Sequence, residues 1–166
     1  MDKIKFNSNI NNADSVDPLL NQLLEVKNNV IEQIITMINE TSDHEIRAKC
    51  ILFLIDHFRD RKIPEALINL IKRPDLKNNN AFITYALGES CDCKDYLDFL
   101  IELVLEYGYN VSVHALNIII DMEPPFNKDQ IENLIKKIKT IKVKDEKKTF
   151  KKDLLLFLRR AKRFEY

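Results

Sequence analysis

Residues 95–120 read DYLDFLIELVLEYGYNVSVHALNIII, and the fold turns on this stretch. Apolar side chains fill Tyr96 to Tyr107 at helical spacing. Asp95, Asp98, Glu102 and Glu106 recur at steps of 3, 4 and 4, which puts the carboxylates on one face of one helix. Gly108 then suits the position after a helix end, where a positive φ is wanted. Tyr109–Asn110 starts another helix, with Val113, Leu116, Ile119 and Ile120 inward, and Pro124-Pro125 ends it. Two short apolar-striped helices with a brief turn between them form a helical hairpin. No segment of the chain alternates with period 2, so the reading is all-α.

The same reading extends outward. Asp17-Pro18 looks like an N-cap and first helical position, followed by Leu19, Leu20, Leu23, Leu24, Val30, Ile31, Ile34, Ile35 and Ile38 to about Glu40. Ser42-Asp43-His44-Glu45 resembles a capping box, opening a helix that buries Ile46, Cys50, Phe53, Leu54 and Phe58. Pro64 opens a short helix ended by Pro74-Asp75, and the next runs from Asn78–Asn80 to near Gly88. Beyond Pro125, Asn127 to Gln130 is a second capping box. Ile131, Leu134, Ile135, Ile138 and Ile141 form a seventh stripe, and an eighth starts at about Lys147 with Phe150, Leu154, Phe157, Leu158 and Ala161. Ile35, Phe53, Leu87, Leu100, Ile119 and Leu134 are expected in the core. Residues 1–16 are polar and expected to fray; 17–166 read as a single helical domain.

The helices are short and paired, which prompts a search for a repeat. Asp43-His-Glu-Ile46-Arg47, Asp75-Leu-Lys-Asn-Asn79 and Asn110-Val-Ser-Val113-His114 align at offsets of 32 and 35 residues. Each begins with Asp or Asn, a capping type, and has a polar residue four positions later. Asp43-x-x-Ile46-Arg47, Tyr85-Ala-Leu-Gly88-Glu89 and Val113-His-Ala-Leu116 resemble the repeat pattern of HEAT-like α-solenoids across about residues 40–125, with His114 in place of the pattern's Arg. The resemblance implies a short right-handed α-solenoid of about four helical hairpins. Residues 127–166 would be its basic C-terminal capping hairpin.

Composition limits function. Of 166 residues, 45% are apolar and 31% charged, with two glycines, five prolines and no tryptophan. Two glycines cannot build a Gly-rich phosphate loop or the turns of a propeller. Cys50, Cys91 and Cys93 are odd in number, and Cys91 and Cys93 are too close in sequence to make an easy disulfide, which speaks against a secreted disulfide scaffold. Cys-x-Cys with only His44, His57 and His114 is not a zinc spacing. Polar residues at Met1–Asn12 and the lack of a long apolar run imply a cytoplasmic protein without a membrane span. No nucleophile, acid–base or metal motif is present, so the expectation is a binding protein with no cofactor and no enzymatic activity.

Net charge is zero but unevenly placed. Residues 1–126 carry 12 bases and 20 acids, and residues 127–166 carry 14 bases and 6 acids. Residues 84–126 hold eight acids and one base, Lys94. Such asymmetry points to partners. Asp95, Asp98, Glu102 and Glu106, together with Glu89, Asp92, Asp121 and Glu123, make a negative surface that attracts a basic protein. His114, Asn117 and Asp121 form a second stripe, with Tyr85 and Asn79 expected on the neighbouring helix of a concave face. Tyr85-Ala-Leu-Gly-Glu-Ser-Cys-Asp-Cys, Asp95-Tyr-Leu-Asp-Phe-Leu-Ile-Glu-Leu and Tyr109-Asn-Val-Ser-Val-His-Ala-Leu also resemble small bacterial HEAT-like immunity proteins of contact-dependent growth inhibition and polymorphic toxin systems. That resemblance implies a cognate toxin as partner, with a nuclease the natural candidate because phosphate-binding sites are basic. Two alternatives remain open. One is a general HEAT-like adaptor. The other is nucleic-acid binding through Lys136, Lys137, Lys139, Lys142, Lys144, Lys147, Lys148, Lys151 and Lys152. The acidic remainder of the chain and the lack of interleaved aromatics disfavour that second alternative.

Overall fold

The computed structural model describes residues 16–76 and 80–163, with side chains from residue 25 onward. The fraying expected before Val16 and the placement of Asn79 lie outside the described residues. Eight α-helices follow in order: α1 (Val16–Glu40), α2 (His44–His57), α3 (Lys62–Ile71), α4 (Asn80–Ser90), α5 (Leu97–Glu106), α6 (Tyr109–Ile120), α7 (Lys128–Thr140) and α8 (Lys148–Ala161). Short 3-10 turns lie at Pro74–Leu76, Cys93–Tyr96 and Asp145–Lys147. Among the described residues there is no strand, and the protein is all-α. None of these helices is long and apolar enough to cross a membrane.

The chain divides into two compact units, residues 1–50 and 51–166, with the boundary inside α2. In the first unit, α1 turns Ile31 and Ile38 inward, while Ile34 and Ile35 are half-buried. Asp17 already lies within α1 and does not precede it as a cap. The residue that caps α2 is Asp43 and not Ser42. Its Oδ1 accepts from the backbone N–H of Glu45 at 2.8 Å and of Ile46 at 3.1 Å. These bonds, Ile46's first, hold the Asp43 carboxyl below its ordinary pKa.

The buried face of α2 also differs from expectation. Ile46 and Phe53 are each 46% exposed, and Cys50 and Phe58 are half-buried. Leu54 is buried as expected, and Arg47, Ile51 and Ile55 are buried with it. The helix is turned by about one residue, roughly 100°. The cause is Arg47, whose Nε donates to the Ile38 carbonyl at 3.1 Å and whose Nη2 donates to that of Thr41. These carbonyls stand at the end of α1, where the helical ladder runs out of donors. A count of apolar residues alone misses a buried guanidinium.

In the second unit α3 packs on α4, α5 on α6 and α7 on α8, so consecutive helices pair as hairpins. Across hairpins α4 packs on α6, and both α5 and α6 pack on α8. Leu87, Leu100, Ile119 and Leu134 are buried as expected. Asn127 caps α7, its Oδ1 accepting from Gln130 N–H at 3.0 Å. Gly108 departs from expectation. Its φ is −62° and ψ 162°, extended backbone at the N-cap of α6, with no left-handed residue ending α5.

One device recurs at four connections between consecutive helices. A polar side chain near the start of the second helix donates to a carbonyl near the end of the first. Arg47 does so to Ile38 O, Asn80 Nδ2 to Ile71 O at 2.6 Å, and Ser112 Oγ to Leu103 O at 3.2 Å, each nine residues back. Lys151 Nζ reaches Ile141 O at 2.6 Å and Lys139 O at 3.2 Å. The first three donors stand 33 and then 32 residues apart. A spacing of 32–33 residues thus recurs in these hydrogen bonds, and of the aligned cap residues Asp43 does cap its helix. Asp75 sits in a 3-10 turn, its Oδ2 2.7 Å from Arg73 Nη2, and Asn110 is the second residue of α6.

Candidate functional site

The α4–α6 contact is unusually close at Gly88, which lies inside α4 and does not end it. A Cβ there would stand 2.7 Å from Ile118 Cγ1. Glycine thus lets the α6 side chain approach the α4 backbone. Above this contact, at the C-terminal ends of both helices, opens a groove of about 590 Å³. Tyr85, Glu89, Asp92, His114, Asn117 and Asp121 line it, six of the ten residues expected to bind a partner. Residues far apart in sequence meet here because α4 and α6 pack together while the bend after α4 closes one end.

Tyr85 is 45% exposed and does not pack into a core. Its ring meets the His114 imidazole edge-on, 6.0 Å between centroids. This contact holds a large amphipathic ring at the groove's surface, the kind of side chain that anchors interfaces. Glu89, Asp92, Asp121 and Glu123 set four carboxylates in the lining against one ammonium, Lys94. Lys94 is held 3.0 Å from Asp92 and also lies over the Phe126 ring at 6.0 Å. Asp121 follows the last residue of α6, and Glu89 is in the last turn of α4, which carries no base. Carboxylates at the negative end of a helix dipole cost stability by a few tenths of a kcal/mol each. Here the dipoles and the carboxylates add to one negative potential, which favours a cationic occupant.

The other four expected residues lie elsewhere. Asp95, Asp98, Glu102 and Glu106 are all exposed. Asp95 stands in the 3-10 turn before α5, so the stripe is not wholly on one helix. Asp95 and Asp98 border a depression with Glu65, Tyr96 and Phe99; Glu102 and Glu106 border another with Arg73 and Tyr107. Burial first, and then Glu102 and Glu106, raises the Tyr107 pKa. The stripe is also partly neutralised from within the chain, since Lys137 Nζ lies 3.8 Å from Asp98 and Gln130 donates to the same carboxylate at 3.4 Å.

The Lys-rich end is not one free basic face. Lys147 is buried, its ammonium donating to Val104 O at 3.2 Å and to Ser112 Oγ, above the Phe150 ring at 5.1 Å. Desolvation lowers its pKa. Lys151 is the hairpin clamp already described. Lys148 pairs with Asp145 at 2.7 Å, and Lys162 with Glu132 at 2.8 Å. Among the described residues no three or more His, Cys, Asp or Glu are grouped to hold a metal ion.

Sequence reasoning passed over Cys91, Cys93 and Ile118 as part of this site. The Gly88–Glu89 pair inside an apolar helix was the available signal, because an interior glycine marks a close approach. No family model matches the chain, and no match to a curated protein or a solved structure was found.

Proposed function

We propose that the chain is an immunity protein: it binds a cognate bacterial toxin, a basic nuclease domain, and occludes its active site in the cytoplasm without chemistry of its own. In this reading the four hairpins are HEAT-like units of a short right-handed α-solenoid. The recurring nine-back clamp at 33- and 32-residue spacing supports that, as does the packing of α4 on α6 and α6 on α8. The observation that carries the function is the groove itself. Four carboxylates, two helix C-termini and the exposed Tyr85 ring on a half-buried His114 converge there. Such a surface suits a cationic protein patch. Negative potential speeds the encounter, and a buried aromatic anchor slows release. An interface of roughly 1,600 Å² around the groove is enough for tight binding when its anchors are good.

The internal pairing of Lys137, Lys148 and Lys162 and the structural use of Lys147 and Lys151 weigh against nucleic-acid binding. The test is co-expression with the toxin domain encoded beside this chain's gene. Rescue of growth and co-purification of a stoichiometric complex are expected. A neighbouring toxin that is neither bound nor neutralised, or the absence of one, would favour a general adaptor.

A further inference from the structure

The bend that closes the groove holds two thiols in contact. Cys91 and Cys93 are reduced, with their sulfurs 3.3 Å apart. Cys91 is half-buried on the groove wall; Cys93 is buried beneath it. Cys91 and Asp92 lie outside any helix, in the segment joining α4 to the 3-10 turn, so the backbone there can move without breaking a helical ladder.

The two sulfurs are not equivalent. The Cys93 S–H has three acceptors in reach: Cys91 Sγ, Leu87 O at 3.4 Å and Cys91 O at 3.5 Å. Its hydrogen bond to Cys91, with a smaller contribution from Ser90, lowers the Cys91 thiol to about 7 against burial and the nearby Asp92 and Asp95. The same hydrogen bond, and then burial, pushes the Cys93 thiol up. Cys91 is thus the accessible nucleophile and Cys93 the protonated sulfur behind it. This is the division of labour that oxidisable dithiols use.

We propose that Cys91 and Cys93 form a peroxide-reactive dithiol site on the groove wall. The Cys91 thiolate attacks one oxygen of a hydroperoxide ROOH. The O–O bond breaks, ROH leaves after taking a proton, and Cys91 becomes a sulfenic acid. The Cys93 sulfur then attacks the Cys91 sulfur. The S–O bond breaks, the hydroxyl leaves as water with the Cys93 proton, and the Cys91–Cys93 disulfide forms. Two thiols are oxidised by two electrons, and the peroxide is reduced to ROH and water. A separation of 3.3 Å is already a near-attack distance for the second step, and bonding requires the sulfurs to close to about 2.0 Å.

Cys91 lines two depressions, in which the carboxylates Glu89, Asp92 and Asp95 are accompanied by the cations Lys94, Arg59 and Arg61. The lowered Cys91 thiol carries more thiolate than an ordinary cysteine, but its lower basicity takes back part of the gain in rate. The distinguishing property is therefore the product. This inference does not rest on the toxin-binding reading, and its test needs no partner.

The experiment treats the reduced full chain and its Cys50→Ser variant with hydrogen peroxide, alkylates what remains, and measures intact mass and the mapped peptides. Both proteins should lose the mass of two hydrogens, with the cross-link inside the peptide holding Cys91 and Cys93, and a reductant should reverse it. Cys93→Ser should stop at a gain of one oxygen on Cys91, trapped by a 1,3-dione probe. Oxidation of the wild-type chain confined to Cys50, stepwise gain of two or three oxygens at Cys91 without a cross-link, or no reaction at all would overturn the proposal. The wild-type product alone decides it, even if a variant fails to fold.

Discussion

Replacing Arg47 by Met tests the clamp that orients α2. Met keeps the buried stem and removes the guanidinium. Two charge-assisted bonds to carbonyls are lost, to Ile38 O and Thr41 O, each worth about 1.5–3 kcal/mol, together with a 3.1 Å contact to His44 Nδ1. Removing a buried charge also removes its desolvation cost, so the net loss falls below their sum, at about 2–4 kcal/mol. Arg47→Lys retains a cation that can reach one carbonyl but not both in the planar fork, and should lose about half as much. Urea unfolding followed by far-UV circular dichroism measures this as a fall in midpoint at unchanged slope. If Arg47→Met costs less than about 0.5 kcal/mol, or if Lys and Met are equivalent, the clamp does not set the register of α2.

Other expectations follow from the same packing. Burial lowers the Lys147 pKa below its unfolded value of 10.5, so the folded state binds fewer protons just below that pH. Wild-type stability should therefore rise with pH in that window relative to Lys147→Met; equal pH profiles would mean that the ammonium is solvated. Gly88→Ala should cost about 1–3 kcal/mol through the Ile118 contact, and Ile118→Ala should relieve part of that cost; purely additive effects would deny the contact. Gly108→Ala should stay within about 0.5 kcal/mol of neutral, since a Cβ there meets nothing within 4 Å and the gain in chain stiffness offsets the poorer cap; a large loss would restore the left-handed reading. Leu100→Ala should cost about 2–5 kcal/mol, whereas Phe53→Ala, at a half-exposed ring, should cost about 1 kcal/mol or less in thermal or urea melts.

Helix existence was legible because apolar spacing of three and four is imposed by burial on one side, and it holds from Ile31 to Leu158. What escaped was decided by polar atoms. The capping box at Ser42 is replaced by a cap from Asp43, whose carboxylate accepts from Glu45 and Ile46, and the buried face of α2 includes Arg47, which serves carbonyls that hydropathy does not register. Gly108 was read by a residue preference, but the short connection to α6 needed only extended backbone. The sequence alignment includes Arg47 but pairs it with Asn79 and His114, whereas the clamp runs through Arg47, Asn80 and Ser112, three different donor types that no single-residue pattern unites. The site was half legible. Tyr85, His114, Asn117 and Asp121 share the groove, because helical spacing fixes which residues of α6 face α4. Spacing also puts Asp98, Glu102 and Glu106 on one exposed face of α5, but it does not tell whether that face adjoins the groove. Lys147 and Lys151 looked like phosphate ligands on charge alone; any probe of the basic end belongs at exposed positions such as Lys136, Lys142 and Lys152.

The central claim is that the groove, and not the α5 face, receives a basic partner. The measurement is the association rate of the cognate toxin domain with the double variant Glu89→Lys, Asp121→Lys, set beside Asp98→Lys, Glu102→Lys, at low and high salt. The groove variant should associate several-fold more slowly at low salt, and the defect should shrink as salt screens it, while the α5 variant stays near wild type. Unchanged association for the groove variant, with the loss falling on the α5 variant, would contradict the account.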